Sequence, residues 1–253
     1  MAHSTGSKLA VLIDADNAQP SKAAPLLAEV AKYGHAHVKR AYGDWAGSGL
    51  KGWKEQLLKH AIQPIQQFAY TQGKNSTDMA MIIDAMDLLY SGKFDGFCLV
   101  SSDSDFTRLA VRIRESGLSV YGFGSRTTPK PFVVACDRFV YVENFADPEK
   151  HAARSEGGVV PPQKCAAPAA EVGKDSRVVR QLETAVEEAS DDDGWAALGD
   201  VGNLIIKRQP DFDPRTFGYG KLSALVRAIR SFELTQRSPA NGRQGGFYVR
   251  VKR

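Results

Sequence analysis

The chain has 253 residues and 43% hydrophobic content, room for one large domain or a large one with a small one. Its formal net charge of +4 says little alone, and no apolar run approaches the roughly 20 residues of a membrane-spanning helix, so no membrane partner is expected. Cys98, Cys136 and Cys165 are odd in number and far apart, which excludes a disulfide framework or a zinc ligand set. With no apolar signal-peptide core over residues 1–7, they point to a reducing, cytoplasmic setting.

Residues 8–13 form an apolar run that reads as a strand buried on both faces, as in a parallel sheet covered by helices. Pro20 and Pro25 flank a helix start, and a helix over 24–33 is stopped by Gly34. Residues 35–42 alternate as a second strand, and Gly43-Asp44-Trp45 is a loop. Residues 50–60 read as an amphipathic helix with Trp53, Leu57 and Leu58 on one face. A short third strand over 62–68 contains Pro64, which puts it near an edge.

The polar loop 71–78 enters a strong helix over 79–90, with Ser76 or Thr77 as its cap and Asp78 in its first turn. Phe97 to Val100 is the next strand, followed by a helix over 105–115 that Gly117 ends. Strands over 118–123 and 139–142 complete a β–α alternation that implies a parallel α/β sheet.

Residues 146–175 change character: Pro148, Pro161, Pro162 and Pro168 lie among glycines and alanines with little periodicity, and read as a flexible linker. Beyond it, helices are expected over 177–189, 196–208 and 222–231, with strands over 232–237 and 247–251 around a glycine-rich turn. Three helices and a β-hairpin suggest a winged helix-turn-helix over 176–253, its wing carrying Arg237, Arg243, Arg250 and Lys252. From Asn203 onward there are eleven Lys or Arg against three Asp or Glu, a balance compatible with nucleic acid.

The first strand ends in Asp14-Ala15-Asp16-Asn17, and the strand at 97–100 ends in Ser101-Ser102-Asp103-Ser104-Asp105. Ligand sites of parallel sheets lie beyond the carboxyl ends of the strands. Two neighbouring strands would bring Asp14, Asp16, Asp103 and Asp105 to one edge. Carboxylates so crowded take up protons or a cation, and oxygen-only ligands suit Mg2+ or Mn2+. Asp14-Ala15-Asp16 also has the spacing of haloacid-dehalogenase-type phosphatases, but Asn17 and Ala18 follow where those enzymes carry an apolar residue and Thr or Val. A response-regulator receiver would need a phosphoacceptor Asp on a middle strand, and no residue has that setting.

Four motifs in order, Ile13-Asp14-Ala15-Asp16-Asn17, Tyr42-Gly43-Asp44-Trp45, Gly73-Lys74-Asn75-Ser76-Thr77-Asp78 and Ser101-Ser102-Asp103-Ser104-Asp105-Phe106, together resemble NYN-domain nucleases of the PIN-like group. The resemblance covers residues 8–145. The C-terminal region, through Phe217-Gly218-Tyr219-Gly220-Lys221-Leu222 and the late aromatic strand, resembles an OST-HTH (LOTUS) domain. The resemblance implies a three-layer α/β/α sandwich with a central parallel sheet and metal-dependent cleavage of phosphodiesters in RNA. It also implies a metal-binding set of Asp14, Asp78, Asp103 and Asp105, with Asn17 orienting a metal-bound water or a phosphate oxygen. The alternative is a non-catalytic RNA-binding adaptor with a vestigial acidic site.

Each of these residues has a plainer reading. Asp16 and Asp105 would serve equally as turn formers or helix caps, and Asp78 as a dipole partner at its helix N-terminus. Asp84, nearly two turns past Asp78, reads as a buried hydrogen-bond or salt-bridge partner. Lys74, Arg40, Lys51, Arg126 and Lys130 fall near the expected rim and are candidates for phosphate contacts, as against a solvated surface role. Trp45 and Trp53 are candidates for stacking on bases, Trp53 also for the core. In the second domain Arg227 and Arg230 are expected one turn apart on a recognition helix, with Arg243 in the wing. The LOTUS resemblance implies RNA as the partner, single-stranded or structured, and DNA remains open because a helix-turn-helix alone does not choose.

Overall fold

The computed structural model describes residues 6–47, 49–67, 76–145, 176–237 and 246–252. These fall into two compact units, one ending at Phe145 and one starting at Ser176. The expected linker, Lys74 and Arg243 lie outside the described residues.

In the first unit, six parallel strands make one sheet in the order β3-β2-β1-β4-β5-β6. They are β1 (Lys8–Asp14), β2 (His35–Gly43), β3 (Gln63–Gln66), β4 (Gly96–Val100), β5 (Ser119–Gly124) and β6 (Arg138–Tyr141). β1 and β4 are buried on both faces because their residues are apolar without alternation, and each face meets helices. The helices are α1 (Ala23–Val30), α2 (Trp53–His60), α3 (Ser76–Tyr90), α4 (Thr107–Glu115) and α5 (Lys130–Ala135). Leu12, Phe97 and Leu99 face Met81 of α3, Ile113 of α4 and Phe132 of α5. Val11, Cys98 and Val100 face Leu26 of α1 and Trp53 of α2 on the other side. The result is the expected α/β/α sandwich.

Several expected boundaries shift. α2 begins only at Trp53, and Leu58 points away from the core at 78% exposure, so the apolar face is Trp53 with Leu57. The third strand is shorter than expected and does form an edge. α3 starts at Ser76, so Thr77 is a helical residue and not a cap. The helix expected from Asp105 opens instead as a 3-10 turn, Ser104–Phe106, before α4.

β5 and β6 approach closely at Gly122. A Cβ there would run into the Phe139 ring and stand 2.7 Å from Cys136 Sγ. Gly122→Ala is expected to overpack this core and lower unfolding stability by about 1–3 kcal/mol, readable in urea melts.

The second unit contains α6 (Ser176–Ala189), α7 (Leu198–Arg208) and α8 (Leu222–Ala228). An antiparallel sheet joins them, in the order β7 (Ala196–Ala197), β9 (Gly246–Val251), β8 (Phe232–Arg237). Leu182, Val201, Leu225 and Val249 meet in its core. The hairpin is thus widened by a third, two-residue strand taken from the start of the expected second helix. α8 stops at Ala228 because Ile229 adopts extended dihedrals. Arg230 therefore lies beyond the helix, and the shared helical face expected for Arg227 and Arg230 does not form. Among the described residues, no helix is long and apolar enough to cross a membrane.

Candidate metal and catalytic site

The order of strands reverses between β1 and β4, and their carboxyl ends open a crevice where a parallel sheet offers its ligand site. Asp14 is the last residue of β1 and is 1% exposed. Its Oδ2 accepts hydrogen bonds from Asn17 Nδ2 and Ser101 Oγ, both at 2.7 Å, and its Oδ1 accepts from the Asn17 backbone N–H at 3.3 Å. Burial pushes the Asp14 carboxyl above its ordinary range, while the bonds from Asn17 and Ser101 hold it down.

Ser101 follows β4 directly. Its Oγ also accepts from the Asp103 backbone N–H at 3.1 Å, so one hydroxyl ties the ends of both strands together. Asp103 Oδ1 in turn accepts the Asp105 backbone N–H at 2.9 Å and caps the 3-10 turn. The cap is therefore Asp103 and not Asp105.

α3 carries the chain from the sheet edge across β1 and β2, which brings Asp78, in its first turn, to the same crevice. One carboxylate oxygen from each of Asp78, Asp103 and Asp105 lies within 4.8 Å of the others. Burial, followed by the charges of Asp14, Asp103, Asp105 and Asp16, pushes the Asp78 carboxyl up to about 6. Among the described residues no Lys or Arg pairs with Asp14, Asp78 or Asp103. Three convergent carboxylates are a donor set that fits a hard divalent cation.

Of the four expected ligands, three converge. Asp14 stands beside them: its charge is the largest of those acting on Asp78, but it is outside the close trio and one of its oxygens already takes two bonds. Asn17 uses its amide nitrogen on Asp14, which makes it a positioning residue for that carboxylate. Sequence reasoning gave Ser101 no role; the signal was a hydroxyl immediately after an apolar strand, two residues ahead of Asp103. Ser101→Ala removes one of the two side chains that orient Asp14, and the acceptor of the Asp103 backbone N–H. It is expected to weaken Mn2+ affinity about 10–100-fold in titration calorimetry, the usual cost of an outer-shell partner.

The basic candidates have different settings. Arg40 sits within β2, not in a rim loop, and its guanidinium pairs with Asp84, which also accepts the Tyr42 hydroxyl. Asp84 thus has the structural role expected of it, joining α3 to β2. Lys51 is exposed ahead of α2, and Lys130 is the exposed first residue of α5. Arg126 donates to Asn144 Oδ1 at 3.2 Å and lies 6.0 Å from the Tyr141 ring. Trp53 is core, and Trp45 donates its Nε1–H to the Ile65 carbonyl at 2.9 Å. In the second unit Arg227 and Arg230 are exposed, while Arg250 is held by Glu233 and by the Trp195 ring, 4.7 Å away.

A parallel sheet with an acidic trio beyond its carboxyl edge accords with the PIN-like nuclease superfamily, to which NYN domains belong. The chain belongs to the NYN-domain family, which matches residues 8–143, and an OST-HTH/LOTUS domain follows at 173–244. PIN-like nucleases typically use divalent metals, and OST-HTH/LOTUS domains bind RNA.

Among solved structures, a protein of unknown function from Vibrio parahaemolyticus RIMD 2210633 is 19% identical with a TM-score of 0.45, over 56% of this chain and 96% of that one. An uncharacterized protein from Nitrosomonas europaea is 38% identical with a TM-score of 0.30, over 39% and 92%. A Chromobacterium violaceum protein is 30% identical with a TM-score of 0.26, over 30% and 82%. A search of curated proteins found no match.

Proposed function

We propose that the chain is a metal-dependent endoribonuclease whose domain at 8–145 cuts RNA and whose domain at 176–253, beyond a linker at 146–175, holds the strand. The observation that carries this reading is the convergence of Asp78, Asp103 and Asp105 beside buried Asp14, on a fold shared with nucleases. Mg2+ or Mn2+ is the cofactor proposed, held by Asp78, Asp103 and Asp105 with Asp14 adjoining. When bound, such an ion would supply an activated water and neutralise charge developing on the phosphate.

The chain's own residues perform the positioning. Ser101 and Asn17 fix the Asp14 carboxylate, and the Asp103 cap fixes the spacing of Asp103 and Asp105. Exposed Lys51, Arg126 and Lys130 are the proposed phosphate contacts in the first unit, with Arg227 and Arg230 in the second. The test is incubation of purified protein with labelled single-stranded RNA and DNA in Mn2+, Mg2+ or chelator, with Asp14→Asn as control. Cleavage of RNA that requires the cation and Asp14 supports the reading; cleavage that is equal in chelator or with the variant rejects it.

A further inference from the structure

On the α1–α2 face of the sheet, a cavity of about 310 Å3 opens beside the acidic crevice. Its walls are apolar core: Leu26, Trp53, Val100, Phe123 and Phe145. Its rim is polar and uncharged over most of its length, with Gln19, Ser102, Ser125 and Thr127 contributing amide and hydroxyl groups. The hydroxyls are already ordered: Ser125 Oγ is 3.0 Å from Ser102 Oγ and 2.7 Å from Thr127 Oγ1. Lys22 is the charged residue among the lining residues, none of which is Asp or Glu.

The cavity and the acidic site share two residues. Asn17 and Ser101 line the cavity and are the same two side chains that donate to Asp14. Anything seated in the cavity is therefore in contact with the groups that orient the buried carboxylate, one residue removed from the convergent trio.

We propose that this cavity is a nucleobase pocket, which receives the base of a nucleotide next to the phosphate that the acidic site engages in single-stranded RNA. The proposal rests on the nuclease reading for the phosphate, but the base-binding claim stands on the cavity. Three features select that ligand. A planar heterocycle has apolar faces and a polar edge, which matches apolar walls with an amide and hydroxyl rim. The volume is at the small end of the roughly 300–1,000 Å3 of ligand pockets, so it limits the occupant to about one base with its sugar. A lining without Asp or Glu places no negative side chain against a ligand whose backbone is anionic. Base pairing would block entry, so the pocket selects unpaired strands.

The experiment uses the full wild-type chain with chelator present, so that binding is read without cleavage. AMP, GMP, CMP, UMP and ribose 5-phosphate are titrated separately, followed by a tetranucleotide of the best base. At least one nucleotide is expected to bind about 10-fold or more tightly than ribose 5-phosphate, within the range that base stacking supplies. The tetranucleotide is expected to bind more tightly than the mononucleotide. Thr127→Trp at the rim, and Val142→Phe at a further lining residue, should each abolish the advantage of the base. Either variant counts when its melting curve matches the wild type.

Equal binding of ribose 5-phosphate and all four nucleotides overturns the pocket, as does a base advantage that survives both variants. A mononucleotide that binds as tightly as the tetranucleotide overturns the RNA assignment in favour of a free nucleotide as ligand. The nuclease reading fails separately, by absence of cation-dependent cleavage, and that outcome leaves the chelator titrations interpretable.

Discussion

Asp103→Asn is expected to lower cation-dependent RNA cleavage by more than about 100-fold, beyond the upper end of what losing an outer-shell partner costs a metal site. The substitution separates two jobs of one side chain. Asp103 Oδ1 accepts the Asp105 backbone N–H and caps the 3-10 turn, and asparagine keeps that oxygen and caps as well as aspartate does. The backbone N–H to Ser101 is untouched. What disappears is a negative charge at the convergence of Asp78, Asp103 and Asp105. The measurement is a single-turnover rate on labelled single-stranded RNA in Mn2+, alongside a thermal melt. A variant that melts like the wild type and cuts at an equal rate would remove Asp103 from the site.

Asp78→Asn is expected to raise the melting temperature of the metal-free protein at pH 7 while removing the stabilisation that Mn2+ confers on the wild type. Burial and four neighbouring carboxylates raise the Asp78 carboxyl to about 6 in the fold, against 3.8 as the ordinary value. A raised acid disfavours folding wherever it is ionised. Its stability contribution is therefore intact below about pH 4 and is lost as the pH rises through 6. At pH 7 the metal-free fold bears the full repulsion, and asparagine relieves it. About 1 kcal/mol of relief would appear as roughly 2–4 °C in a domain of 150–250 residues. For the wild type, a cation at 100 times its dissociation constant adds about 2.7 kcal/mol, an increment the variant should lack. Because protons and the cation compete for one carboxylate, the apparent Mn2+ affinity of the wild type should also fall as the pH drops through 6. Scanning calorimetry at pH 5 and pH 7, with and without Mn2+, reads all three effects.

Much of this was legible in the residues because a continuous apolar run followed by acids has one physical solution in a parallel sheet. Leu9 to Asp14 and Phe97 to Val100 are buried on both faces, and their carboxyl ends meet as expected. Asp78 was legible only through the family motif, since nothing local says that α3 recrosses the sheet to reach β1. The role of Ser101 was not legible, because a hydroxyl after a strand is common and its partner Asp14 is 87 residues away. Arg40 was misplaced for a related reason: a charged residue on an alternating strand reads as solvated until α3 presents Asp84 to it. The end of α8 at Ala228 was hidden as well. Ala228 and Arg230 are good helix formers, and the termination comes from the packing of Ile229 into the core beside Phe232.

The acidic trio draws on segments far apart in the chain, with Asp78 reaching the crevice on a helix that follows the edge strand β3 and Asp103 and Asp105 arriving only after β4. A nascent chain that has emerged from the ribosome as far as β3 thus contains none of the three carboxylates, and one that ends within α3 has a single member without its companions. The trio is therefore complete only once the chain has been made past β4.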